Sequence, residues 1–540
     1  MKVGIQLLAL LLLSSQPINK EVDDVVIIDI EQGEYWWGGL SSRGHETPYD
    51  ESSTASYNLL GDNYGNQAQP LLLSNKGRYL WCEEPIEYQF QDGQIIVKSK
   101  TGEIIHGKKG ENLRDVYSYV SDRFFPSNGE IPDELLFTNP QYNTWIELMY
   151  DQNEKDILQY AKDIINNGYP PGVLMIDDNW QADYGEWEFS PNRFSDPKGM
   201  IEQLHEMGFR VMLWICPFVS ADSEVFRYLA AEGMVLQDKN RVKDIKWKNT
   251  KNEAAIIRWW NGASGCLDLS NPKTQDWFKE RLDYLVNEFG VDGFKFDAGD
   301  ADFYSKDIIS YNTDSPNDHT SYFAKLGLEY PLNEYRASWK MAGLPLVQRL
   351  RDKKHKWEDL QKLIPDLMSQ SVMGYAYTCP DMIGGGEFRS FLDASSIDEE
   401  LIVRSAQVHA LMPMMQFSVA PWRVLSEENQ AICLIMANLH KEMGPMIVDL
   451  AKNASITGEP IVKPMEMSFP NSGYETIKDQ FMLGDDILVA PVIEKGARVR
   501  SVVLPKGKWK SDQGQIIKGG QTFEIDVPLE RLPYFSKISN

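Results

Sequence analysis

The sequence predicts an α/β protein: a (β/α)8 barrel flanked by an N-terminal β-sandwich and a smaller C-terminal β-domain. Three observations predict it. The middle of the chain alternates apolar strand-like runs with amphipathic helical stretches. Both ends carry short alternating strands between turn residues, and 540 residues are more than one ordinary domain needs.

Residues 1–20 have the pattern of a signal peptide. Lys2 is followed by the apolar run Val3 to Leu13 and then by Ser14-Ser15-Gln16. The run is shorter than the about 20 apolar residues that span a bilayer, so a signal anchor is the lesser alternative. The expected compartment is the secretory pathway, in the ER or lysosomal lumen or outside the cell. Residues 21–137 are expected to form the sandwich. Val25–Ile30, Ile86–Phe90 and Ile95–Lys98 alternate in polarity, and Gln91-Asp92-Gly93 divides the last two.

Residues 138–455 are expected to form the barrel. The helical stretch Glu154–Asn166 precedes the apolar run Gly172–Ile176, Met200–Met207 precedes Arg210–Ile215, and Thr274–Phe289 precedes Gly293–Asp297. Further strands are expected at Met373–Tyr377 and Met412–Phe417. A helix over Glu427–Met443 should break at Gly444-Pro445. Residues 456–540 are expected to form the last β-domain, with strands at Phe481–Leu483, Ile487–Val492, Arg500–Leu504 and Thr522–Val527.

Composition narrows the function. A net charge of −25 repels phosphate backbones and anionic lipid, which excludes nucleic-acid partners and gives no support to membrane insertion. The seven histidines show no HxxxH or HxH spacing, so no metal is expected. The five cysteines lack metal-ligand spacing and read mostly as buried thiols, with at most one or two disulfides. Asn453-Ala454-Ser455 is a lone glycosylation sequon. The 15 Trp and 24 Tyr mostly serve the core, yet flat rings beside carboxylates also suit sugars.

Two strand ends carry the chemistry. In Gly293-Phe294-Lys295-Phe296-Asp297 the alternation of a strand points Lys295 and Asp297 the same way, into a barrel mouth. A neighbouring ammonium would keep Asp297 ionised, as a carboxylate nucleophile requires. A structural strand-end ion pair would leave the same pattern. Met175-Ile176-Asp177-Asp178-Asn179-Trp180 ends in two acceptors suited to vicinal sugar hydroxyls, although Asp also caps helices after strands. Glycoside cleavage needs a second carboxyl as acid and base, and composition alone does not single one out.

Phe294-Lys295-Phe296-Asp297-Ala298-Gly299 closely resembles the nucleophile motif of glycoside hydrolase family 31, in its myogenesis-regulating glycosidase branch. Arg258-Trp259-Trp260-Asn261-Gly262, Leu267 to Pro272, Pro380-Asp381-Met382-Ile383-Gly384-Gly385, Met412 to Ser418 and Leu488 to Val492 resemble that branch in order, within a similarity running from about Trp37 to Phe535. The resemblance implies the same three-part architecture and a retaining double displacement with no cofactor. It assigns Asp297 as nucleophile and Asp352, between Arg349 and Trp357, as acid/base, with Asp366 as a fallback expected inside a helix. The Lys-rich surroundings of Asp352 would lower its pKa, whereas a general acid needs it raised. Sugar-binding positions carried over are Trp145, Asp177, Asp178, Trp260, Lys295 and Arg336, with Asp381 and Trp214 behind them. Family members often carry His where Pro380 stands, so one hydroxyl contact is expected to be missing.

The partner implied is an α-linked glycoside. The branch is associated with α-galactoside cleavage, and the Asp177-Asp178 pair with Lys295-x-Asp297 resembles barrel α-galactosidases in which paired aspartates grip the 4- and 6-hydroxyls. An α-galactosidase is therefore expected, before an α-glucosidase or α-xylosidase. A catalytically silent glycan-binding or folding-assistance protein is the alternative of another class, against which the retention of both Asp297 and Asp352 argues.

Overall fold

Eight short parallel strands wrap into a barrel and are buried on both faces, apolar in the longer ones such as Val173–Ile176 and Arg210–Ile215 and carrying polar residues in the shorter ones. In the computed structural model, which describes residues 24–239, 254–304, 307–313, 315–393 and 396–538, these are β1 (Gln141–Asn143), β2 (Val173–Ile176), β3 (Arg210–Ile215), β4 (Gly293–Phe296), β5 (Leu332–Tyr335), β6 (Gln348–Arg349), β7 (Thr378–Cys379) and β8 (Gln416–Phe417). Their order is β7-β6-β5-β4-β3-β2-β1-β8, every pair parallel. A parallel bridge between Met382 and Gln416 brings the two ends together. Every residue of β2 and β4 is buried. At Gly293 a Cβ would fall 1.9 Å from the Leu332 carbonyl oxygen, so only glycine lets β4 lie this close to β5.

Helices cover the barrel at Glu154–Asn166, Pro197–Glu206, Pro272–Tyr284, Pro316–Lys325, Trp357–Val372, Glu399–Ala410 and Glu427–Thr457. No helix joins β5 to β6. Instead Ser338–Trp339 pairs in parallel with Gln67–Ala68 and becomes the edge of an N-terminal sheet. That sheet faces a second one, Asp24–Asp29, Gln94–Ser99, Ile86–Gln91 and Ala55–Asn58, across a core containing Trp36, Leu72, Leu80, Tyr88, Phe90 and Trp339. The hairpin 86–99 alternates buried and exposed residues, and it turns at Asp92 and Gly93, both with positive φ (51° and 74°). The C-terminal part packs a six-stranded and a two-stranded sheet around Met465, Leu488, Trp509 and Phe535.

The structure corrects three sequence expectations. The helix expected to end at Met443 runs without interruption to Thr457, through Pro445. Gly444 there meets Thr138 so closely that a Cβ would lie 2.6 Å from its Cα, so the residue marks a helix contact and not a stop. The apolar run Met373–Tyr377 is the buried turn after a helix, and the strand lies just beyond it at Thr378–Cys379. Of Met412–Phe417 only Gln416–Phe417 is strand, because Met412 to Met415 are apolar for burial and not for extension. All five cysteines are buried free thiols. The signal-peptide expectation lies outside the described residues. Among the described residues no helix is long and apolar enough to cross a membrane.

Candidate active site

A cavity of about 400 Å³ opens where the barrel strands end. Nine of the ten residues singled out from the sequence line it: Trp145, Asp177, Asp178, Trp214, Trp260, Lys295, Asp297, Arg336 and Asp352. They arrive from separate strand ends and loops, which is how barrel sites assemble.

Asp297 follows β4, its backbone N–H still donating to Ile215 O at 2.9 Å, and the chain then turns through Ala298 and Gly299 at φ 58° and 72°. Trp214 Nε1 donates to Oδ2 at 2.9 Å. Oδ1 lies 3.0 Å from Arg336 Nε and 3.5 Å from Arg349 Nη2. Burial opposes ionisation, but Arg336, Arg349 and Lys295 together outweigh it and hold the carboxyl well below the usual carboxylate range. Asp297 is therefore an anion at any working pH. The ammonium beside it acts at one remove: Lys295 Nζ pairs with Asp177 Oδ2 at 2.7 Å, and the two guanidiniums are what touch the Asp297 carboxylate.

Arg349, at the end of β6, interlocks the floor. Nη1 lies 2.7 Å from Asp352 Oδ1 and 2.8 Å from Asp381 Oδ1, and Nε lies 3.3 Å from Glu334 Oε1. One buried guanidinium thus touches four carboxylates. Asp381 does not line the cavity, contrary to expectation. It is fully buried behind Arg349 at φ 76°, where burial raises its pKa to about 7 against the pull of that arginine. Asp352 stands at the opening with its side chain 46% exposed. Its expected lysine neighbour points elsewhere: Lys353 Nζ pairs with Asp366 Oδ2 at 3.0 Å. Asp366 also meets His45 Nδ1 at 2.8 Å inside the helix Trp357–Val372, away from the cavity, which removes it as a fallback acid.

Asp177 and Asp178 follow β2. Both oxygens of Asp178 are held, Oδ1 by the Tyr184 hydroxyl at 2.8 Å and Oδ2 by Asn261 Nδ2 at 2.6 Å. Burial raises the Asp178 pKa to about 7, helped by Asp177 and Asp297 and opposed by those two donors. Trp145, Tyr150 and Phe388 form an aromatic wall with ring centres 5.2 to 6.2 Å apart. Opposite, the Arg336 guanidinium lies over the Trp260 ring at 4.8 Å and pairs with Asp300.

Sequence reasoning did not select Arg349, Glu334, Asp300, Tyr150, Tyr184 or Asn261 as site residues. Arg349 and Asn261 lie inside stretches that carried the family resemblance, and Asp300 directly follows one, so a signal existed for them. None existed for Asn66 and Gln67 of the N-terminal sheet. Their side-chain amides donate to the Arg336 carbonyl at 2.7 and 2.6 Å and to the Arg349 carbonyl at 3.0 and 2.8 Å, and so position both arginines from some 270 residues away.

Comparison with known proteins agrees with this fold. The family model described as "Glycosyl hydrolases family 31 TIM-barrel domain" matches residues 139–447, and "Glycosyl hydrolase family 31 C-terminal domain" matches residues 458–539. The chain is similar to the myogenesis-regulating glycosidase of Mus musculus, at 31% identity over 79% of this chain and 60% of that protein. It is similar to the SITS-binding protein of Tetronarce californica, at 29% over 60% and 47% of the two chains. α-Glucosidase 2 of Bacillus thermoamyloliquefaciens is 25% identical over 72% and 51%. The chain thus spans between 47% and 60% of the length of these curated relatives. Among solved structures, a Flavobacterium johnsoniae family 31 dextranase complexed with glucose superposes with a TM-score of 0.81 at 19% identity, over 96% of this chain and 67% of that one. A soil-metagenome family 31 α-xylosidase complexed with xylose gives 0.80 at 19%, over 96% and 79%. These likenesses show the fold.

Proposed function

This chain belongs to glycosyl hydrolase family 31, and from that premise we propose that it is a retaining α-glycoside hydrolase with a preference for α-galactosides. The observation that carries the reading is a buried carboxylate, Asp297, held ionised between two guanidiniums beneath an exposed one, Asp352, with Arg349 touching both. In the first step Asp297 attacks the anomeric carbon while Asp352 protonates the departing glycosidic oxygen, leaving a covalent glycosyl-enzyme. In the second step Asp352 takes a proton from water, whose oxygen displaces Asp297. Each displacement inverts the anomeric carbon, so the product keeps the α configuration. Arg336 and Arg349 fix the nucleophile, Trp145 and Trp260 offer ring faces to the sugar, and Lys295 fixes Asp177 for hydroxyl binding.

The galactose preference rests on Asp178 and on the branch resembled. A carboxylate fixed on one wall can accept from an axial 4-hydroxyl without reaching an equatorial one. α-Glucosidase activity is the second reading, favoured by the similarity to a protein named α-glucosidase. Initial rates on para-nitrophenyl α- and β-galactosides, glucosides and xylosides decide between them. The α-galactoside is expected to be fastest. Faster α-glucoside turnover would transfer the assignment, and no turnover of any α-glycoside would overturn it.

A further inference from the structure

The wall of the cavity that carries Asp178 is built from three chain segments. Asp178 follows β2. Tyr184 lies in the loop after it. Asn261 is the tip residue of a hairpin inserted between β3 and β4, whose strands Ile256–Trp259 and Gly262–Cys266 pair with each other and then with Phe218–Ser220. The hairpin turns at Gly262, φ 105°, and aims its two tip residues at opposite sides of the site. Trp260 lies under Arg336 at 4.8 Å, and Asn261 reaches Asp178.

The three polar groups close on one another. Tyr184 Oη donates to Asp178 Oδ1 at 2.8 Å, while Asn261 Nδ2 donates to Asp178 Oδ2 at 2.6 Å and to Tyr184 Oη at 2.7 Å. A carboxylate oxygen has two acceptor directions, so each Asp178 oxygen keeps one for a ligand. Which direction remains free is dictated by where Tyr184 and Asn261 stand. The Tyr184 ring is itself immobilised against Trp214 and Trp259, at 6.0 and 5.0 Å between centres.

We infer that Tyr184 and Asn261 are positioning residues that orient the Asp178 carboxylate and thereby set which sugar epimer the pocket accepts. The inference deepens the proposed function and rests on its reading of Asp178 as a hydroxyl acceptor. It places the choice of sugar on a loop and an inserted hairpin, away from the strand ends that do the chemistry. The same brace sets the charge of Asp178. Burial, Asp177 and Asp297 press it toward the neutral form, and Tyr184 and Asn261 press the other way. Tyr150 and the buried Cys216 also face it, and burial raises the pKa of each of these, as it does that of Tyr184. Tyr184 therefore stays a donor throughout the working range.

The test compares wild type, Tyr184→Phe and Asn261→Ala on para-nitrophenyl α-galactoside and α-glucoside, with a pH profile for each. The ratio of the two kcat/KM values should shrink by about tenfold in either variant, the equivalent of losing one hydrogen bond to a charged group. The loss should fall on the favoured epimer and chiefly in KM. Removing a donor raises the folded-state pKa of Asp178, so the acid limb of the favoured substrate should move from near pH 7 to higher pH in Tyr184→Phe. The phenylalanine keeps the ring packing, so this variant speaks even if Asn261→Ala fails to fold. Equal losses on both epimers with an unmoved acid limb would overturn the inference. Dissociation constants of free galactose and glucose, by calorimetry, need no turnover. A protein inactive on every glycoside would defeat the proposed function alone if wild type still separates the two sugars and the variants do not. Binding neither sugar, or separating them equally well in all three proteins, would defeat the inference.

Discussion

The floor of the cavity and its rim are built from the same residue types on opposite plans. On the floor Lys295, Asp177 and Asp297, and directly behind them Arg349, Asp381 and Glu334, are almost completely buried, and each charge answers another within 3.5 Å. On the rim, Asp352 is 46% exposed in its side chain and Trp260 is 44% exposed. Floor residues stand on or next to strands that lock their direction; rim residues stand on loops. The contrast fits the proposed chemistry. A nucleophile has to be an anion in one place, which a fixed cationic frame secures. An acid/base has to exchange protons with leaving groups and water, which an open position allows.

Breaking the floor should have the largest effect. Asp297→Asn removes the carboxylate proposed to form the covalent intermediate, and turnover should fall on the order of 10⁴-fold or more with the fold retained. The fold survives because Asp300, Glu334, Asp352 and Asp381 still balance Arg336 and Arg349. Circular dichroism beside initial rates checks both halves. At the rim, Asp352→Ala should lower disaccharide turnover by roughly 10²–10⁴-fold but spare a nitrophenyl glycoside in the step that expels its leaving group. Equal impairment on both substrates would deny Asp352 the acid role.

Stability sharpens the same contrast. Arg349→Met strands Asp381 and Glu334 as buried unpaired carboxyls, so denaturant unfolding should report a loss of about 3–5 kcal/mol. Asp178→Ala lies between floor and rim. It should cost α-galactosides roughly tenfold to several hundredfold in kcat/KM, the worth of a charged hydrogen bond and of the pocket group left unpaired. Arg389, exposed on the rim and without an ion pair among the described residues, should tolerate Arg389→Ala within about 0.5 kcal/mol. If Arg349 and Arg389 behaved alike, the distinction between floor and rim would have no energetic content.

The same distinction explains what the sequence disclosed. Strand-end residues announce themselves, since a short apolar run stopping at a carboxylate reads directly as β4-Asp297 or β2-Asp177-Asp178. Glu154–Asn166 was legible to the residue because polarity periodicity governs it, and Arg210–Ile215 because its apolar run is bounded by a helix and a turn before it and by Cys216-Pro217 after it. Apolar runs without periodicity were not: Met373–Tyr377 is apolar as a buried turn, and only its neighbours in space decide that. Partners were equally invisible. Lys295 pairs with Asp177 across 118 residues rather than with the aspartate two positions on, and Asn66, Gln67 and Tyr184 join the site only through the path of the folded chain.

The central claim is that Asp297 forms a covalent bond to the sugar. A slow fluorinated α-galactosyl donor tests it most directly, because it allows the first displacement and retards the second. Intact-mass measurement after exposure should find one glycosyl unit added, and peptide mapping should locate it on Asp297. Attachment to another residue, or hydrolysis that releases the β-anomer with no adduct at any time, would contradict the account.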